Sequence, residues 1–100
     1  MKKVFIQYKI KPEQVSNVET LIKKVFDELR ATNPNSISYS AQKLEDGQTF
    51  VHTYVANENV KNPIVGLSSF KELQEFIKFN HLEKPVSIEL SDIDSYNSLS

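Results

Sequence analysis

The chain has no cysteine and only two glycines among its 100 residues. Without cysteine there is no disulfide, no thiolate metal site and no cysteine nucleophile. Two glycines cannot build a phosphate cradle, and Gly66-Leu67-Ser68-Ser69 lacks the glycine pattern and following lysine of a phosphate loop. The Gly-x-Ser-x-Gly nucleophile elbow is also missing. No apolar stretch approaches the roughly 18 residues a membrane helix needs. Met1-Lys2-Lys3 has no sustained apolar run behind it, so neither a signal peptide nor a membrane partner is expected, and a cytoplasmic setting is. An excess of one charge is lacking too: 12 Lys and Arg face 13 Asp and Glu, a net charge of −1. That balance gives no electrostatic reason to expect nucleic acid.

What remains is an ordinary globular composition, 39% hydrophobic and 25% charged. The length suits one domain and one core, expected over residues 1–96 with a flexible tail at 97–100. A domain this small buries about two-thirds of its unfolded surface, so added burial through self-association is expected.

Val4, Ile6, Tyr8 and Ile10 alternate with Phe5, Gln7 and Lys9, the period of a strand. Lys11-Pro12-Glu13 ends it and opens a helix. Val15, Val18, Ile22, Val25 and Leu29 then recur at helical spacing, which predicts an amphipathic helix over about 12–31. Asn33-Pro34 stops it. Strands are expected over 36–44 and 49–56, joined by a hairpin at Glu45-Asp46-Gly47-Gln48. After a polar loop ending in Asn62-Pro63, Leu67, Phe70, Leu73 and Ile77 mark a second helix over about 67–80. Val86, Ile88 and Leu90 alternate in a last strand, with an extension expected through Ile93 and Tyr96.

The order strand, helix, strand, strand, helix, strand is that of an α+β, ferredoxin-like βαββαβ domain: a four-stranded antiparallel sheet with two helices on one face. Val4, Ile6, Tyr8, Val51, Val55, Val86, Ile88 and Leu90 are expected on the helix side. Phe5, Gln7, Phe50, His52, Tyr54 and several serines are expected on the open side, where such aromatics need a cover.

Chemical candidates are few. His52, between Phe50 and Tyr54, suits interface packing or contact with a ligand; no second histidine or carboxylate shares its local spacing, so no metal is expected there. His81 is expected at the surface or as a cap, and Asp92 and Asp94 in a solvated end. RNA-recognition motifs share this topology and stack bases on first- and third-strand aromatics. Here Gly47-Gln48-Thr49 replaces the basic lead of the third-strand signature, and Tyr54 falls one place too far along.

Tyr8-Lys9-Ile10-Lys11-Pro12, Pro34-Asn35-Ser36-Ile37-Ser38-Tyr39 and Leu67-Ser68-Ser69-Phe70-Lys71 together resemble the antibiotic biosynthesis monooxygenase family of dimeric α/β barrels, from about residue 4 to 96. The resemblance implies a homodimer whose sheets pack face to face around a cavity lined by Phe5, Gln7, Phe50, His52 and Tyr54. It implies a small aromatic ligand, and, for an enzyme, oxygenation of a phenol or quinol without a cofactor. His52 would then accept a proton and Tyr54 would donate a hydrogen bond. Many members carry a tryptophan late in the third strand, where Ala56 stands, and the usual Pro-Gly is Pro34-Asn35. The asparagine and histidine of haem-degrading relatives have no counterpart in residues 2–10 or 67–79, which argues against haem degradation.

Overall fold

The alternating residues of the first segment form strand β1, Lys2–Ile10, in a computed structural model that describes residues 1–99. Pro12 fixes the start of a tight 3-10 turn, Pro12–Gln14, which runs into helix α1, Val15–Thr32. The helix expected from 12 thus begins with a turn of different pitch. Val18, Ile22, Val25 and Leu29 are its buried stripe. It ends where Asn33 adopts a left-handed φ of 46° and donates its N–H to the Leu29 carbonyl at 2.7 Å.

Strands β2, Ile37–Lys43, and β3, Thr49–Ala56, form the expected hairpin. Gly47 takes the positive φ, 72°. Asp46 organises the turn by accepting from the Gln48 and Thr49 N–H groups at 2.9 and 2.8 Å and from the Thr49 hydroxyl at 2.6 Å. Those bonds, the hydroxyl foremost, bring its pKa down to about 2.

A short 3-10 turn, Ile64–Gly66, leads to helix α2, Ser68–Asn80. Leu67 stands at the N-cap and has no side-chain oxygen to offer. Glu28 of α1 fills that role, accepting from the Ser69 N–H at 3.0 Å and the Ser69 hydroxyl at 2.5 Å. The contact ties the two helices together. Leu73 and Ile77 bury into the core, whereas Phe79 is left 65% exposed. No helix among the described residues is long and apolar enough to cross a membrane.

Strand β4, His81–Leu90, follows α2 without a loop and so begins five residues before the expected alternation. The sheet order is β2-β3-β1-β4, antiparallel throughout, and the core lies between one sheet face and the two helices. This is the expected ferredoxin-like arrangement. The strand extension through Ile93 and Tyr96 does not form: β4 ends at Leu90, and both side chains are exposed with no regular structure around them. Of the tail expected at 97–100, Ser100 lies outside the described residues.

Two strand faces are the reverse of the expectation. Opposed residues in an antiparallel pair share a face, and the register sets Val4 against Tyr54, Ile6 against His52 and Tyr8 against Phe50. Phe50, His52 and Tyr54 therefore face the helices with Val4, Ile6 and Tyr8, while Val51 and Val55 lie on the open face. On β4, Val86 opposes Gln7 and Ile88 opposes Phe5, so Val86, Ile88 and Leu90 also lie on the open face. The physical reason is volume. Broad rings from β3 span the gap to the helices, and short branched valines fit the pleated surface behind them.

Candidate functional site

His52 sits midway along β3, and each neighbouring strand offers it one tyrosine on its own face. Ile6 on β1 and Ala41 on β2 lie directly opposite. Two residues along each strand, Tyr8 and Tyr39 take the diagonal positions, within reach of a long side chain. Tyr8 Oη lies 2.7 Å from His52 Nε2, and Tyr39 Oη lies 2.5 Å from Nδ1. Both phenols are braced by aromatic stacking: Tyr8 on Phe50 with centroids 5.6 Å apart, and Tyr39 on Phe26 at 5.3 Å.

Burial governs the charge state of all three. His52 is 3% exposed, and desolvation lowers its pKa from 6.5 to about 4, so it is neutral at pH 7. Burial, with repulsion from Tyr39 added, pushes the Tyr8 hydroxyl far above its ordinary value; burial likewise raises Tyr39. A neutral imidazole has one N–H and one bare nitrogen. One tyrosine therefore donates to His52 while the other accepts from it, and exchanging the roles moves a proton across the ring.

The three residues line a hollow of about 460 Å³. Phe70, Leu73 and Ile77 of α2 form its apolar wall, Ile6 and Ser87 belong to the sheet side, and Lys78, His81, Lys84 and Pro85 stand at its edge. The hollow exists because β4 does not fill it. The β1–β4 register steps from Gln7–Val86 to Lys9–Glu83, leaving Lys84 and Pro85 bulged opposite Tyr8. Pro85 has no N–H to extend the ladder, and Ser87, opposite Ile6, is too small to reach the helix.

Of the residues expected to share one cavity, the structure groups only some. His52 is in this hollow. Tyr54 lies on the same sheet face but lines an adjoining hollow of about 360 Å³. Its hydroxyl is the one buried side-chain polar atom without a hydrogen-bond partner among the described residues, and it makes no bond to His52. Phe50 shares the face and backs Tyr8 without lining this hollow. Phe5 and Gln7 lie on the opposite face of the sheet. Sequence reasoning missed Tyr8 and Tyr39 as site residues. The available signal was an aromatic hydroxyl on each of two further strands, without the register needed to join them.

A groove of about 570 Å³ between α1 and the β2 edge has mixed charges, and four of its ionic side chains are already paired, Lys43 with Glu19 and Arg30 with Asp27. Among the described residues no group of three His, Asp or Glu comes together as metal ligands would. The chemistry on offer is hydrogen bonding and proton movement at Tyr8, His52 and Tyr39.

No family model matches the chain, and none of the curated proteins compared with it is similar. Solved structures are. A crystal structure of an antibiotic biosynthesis monooxygenase superposes with a TM-score of 0.78 at 19% identity, over 94% of this chain and 100% of that one. Rv0793 from Mycobacterium tuberculosis gives 0.76 at 14% identity, over 96% and 98%. A Caulobacter crescentus protein provisionally called an antibiotic biosynthesis monooxygenase gives 0.73 at 17%, over 93% and 90%. Near-complete coverage at such low identity speaks for architecture: this chain has the fold of the solved antibiotic biosynthesis monooxygenases.

Proposed function

We propose that the chain binds a small phenolic aromatic in the hollow between α2 and the sheet. The observation that carries this reading is the Tyr8–His52–Tyr39 chain of hydrogen bonds at the floor of a cavity whose α2 wall presents Phe70, Leu73 and Ile77. Tyr39 is its half-exposed member, and so the one a ligand hydroxyl would meet. A flat ring gains from Phe70, Leu73 and Ile77, and its hydroxyl exchanges one hydrogen bond with Tyr39 Oη. Titration with 1-naphthol, followed by its fluorescence, should show saturable binding. Tyr39→Phe should weaken it about ten-fold, the loss of one hydrogen bond. No saturation at millimolar naphthol would refute the reading.

A second reading, oxygenation of the bound phenol without a cofactor, draws on the likeness to solved monooxygenases. In that reaction a phenol with a free para position and one O2 give a para-quinone and water. The ring loses four electrons, one oxygen atom stays on it, and the other leaves as water. The first step needs the phenol proton. Tyr39 Oη would take it as its own proton passes to His52 Nδ1, with Nε2–H donating to Tyr8. Magnitude places this second. A base with a pKa of about 4 is about six units below an ordinary phenol, roughly 8 kcal/mol uphill before attraction between the new charges is counted. Oxygen uptake with a panel of phenols unsubstituted at the para position tests it: uptake by wild type should be abolished in His52→Ala, and an inert wild type removes this reading.

The same proposal includes a second copy of the chain on the open sheet face. Support comes from the stripe of Val86, Ile88 and Leu90 on β4, 40–52% exposed, beside half-buried Phe5. A monomer would leave these apolar side chains in water.

A further inference from the structure

We propose that the ligand of this hollow is an aromatic anion, a phenol whose far end carries a carboxylate. This rests on the reading that the hollow receives a phenolic ring, and it specifies the ring's charge. The argument begins with what lines the open end. Lys78 comes from α2 and Lys84 from the β4 bulge, and no Asp or Glu lines the hollow at all. Lys24 is paired with Glu72, Arg30 with Asp27, Lys43 with Glu19 and Lys3 with Asp92, whereas other lysines stand singly on the surface; Lys78 and Lys84 differ from those in lining one hollow together. Among the described residues Lys78 and Lys84 form no ion pair. The Lys78 ammonium lies 5.6 Å from the centroid of the Phe79 ring, a neighbour that leaves its charge uncompensated.

The C-terminal end of α2 points the other way, since its free carbonyls carry partial negative charge. Here two of the last four carbonyls, those of Ile77 and Asn80, are already occupied. Asn80 Nδ2 donates to the Phe76 carbonyl and His81 Nδ1 to the Ile77 carbonyl, both at 2.9 Å, and the Lys11 N–H donates to the Asn80 carbonyl at 3.1 Å. With the helix end partly answered, two full ammonium charges outweigh its remaining partial charge and set the sign of the potential at the entrance. Recognition then divides by depth. The neutral Tyr39 hydroxyl, backed by His52, meets a hydroxyl at the floor, apolar α2 side chains hold the rings, and ammonium groups meet a carboxylate at the mouth.

Matched probes test this on the full chain: 6-hydroxy-2-naphthoate and its neutral isostere 6-hydroxy-2-naphthamide, titrated by fluorescence at low salt and at about 0.5 M salt. Exposed ion pairs are worth about two- to five-fold each. Wild type should therefore prefer the carboxylate about ten-fold at low salt. The preference should vanish at high salt and in the double variant Lys78→Gln, Lys84→Gln. Both substitutions are at exposed positions, and unchanged circular dichroism confirms the fold. Equal affinity of wild type for the two probes overturns the proposal, as does a preference that survives in the double variant. If the amide binds and the carboxylate gains nothing, only the charge assignment fails; if neither binds, the reading beneath it fails as well.

Discussion

A neutral imidazole held between two phenols makes stability depend on pH in a stated direction. The folded pKa of His52 is about 4 and the ordinary value 6.5. Above 6.5 both folded and unfolded chains are unprotonated at this position, and it contributes nothing. Below 6.5 the unfolded chain binds a proton that the folded one refuses, so stability falls until about pH 4, by about 3 kcal/mol in all. Urea midpoints measured from pH 7.5 to 4.5 should drop more steeply in wild type than in His52→Gln. Parallel slopes would contradict the burial of a neutral ring. His52 was legible in the sequence because it is one of two histidines. Its partners were not. Residues 8, 39 and 52 meet only through the register of three strands, and nothing within a few residues of any of them encodes that register.

Helices and turns were legible because their causes are local. The Val18–Leu29 stripe, the proline at 12, and the Asp-Gly turn each act within one element. Asp46 shows how much one such residue contributes. Its carboxylate holds two backbone N–H groups and a hydroxyl, so Asp46→Ala should lower the melting temperature and speed amide exchange at Gln48 and Thr49. The carboxylate's contribution is present in full above its unfolded pKa of about 3.8 and is lost as pH falls through about 2. Unchanged exchange at those two amides would show that the turn stands without it. The faces of β3 and β4 were illegible for a different reason. β3 is buried or half-buried at every position, so alternation divides its residues into two sets without saying which set meets the helices. On β4 the apolar set points away from the helices and small Ser87 points toward them, an orientation that alternation alone does not specify.

For the whole molecule, the reversed faces change which residues would meet a second copy. Rings of β3 are withdrawn into the core, and an aliphatic stripe on β4 takes their place on the open side. A wild-type chain should run as a dimer by light scattering at about 100 µM, and Ile88→Glu should run as a monomer with unchanged circular dichroism, since a charge on a covered apolar face is costly. A monomeric wild type at that concentration would remove the second copy. The α+β layering itself was readable from element order alone, whereas the position of the cavity, between sheet and helix within one chain, depended on the bulge at Lys84-Pro85.

Ser87 points toward Tyr8, His52 and Tyr39, and its neighbours Val86 and Ile88 point out of the other side of the same sheet. Every chain therefore keeps a compartment of its own, walled off by backbone from whatever covers the stripe. Occupancy would count one ligand per chain, with a hyperbolic isotherm. Dilution that parts two copies would leave its midpoint where it was.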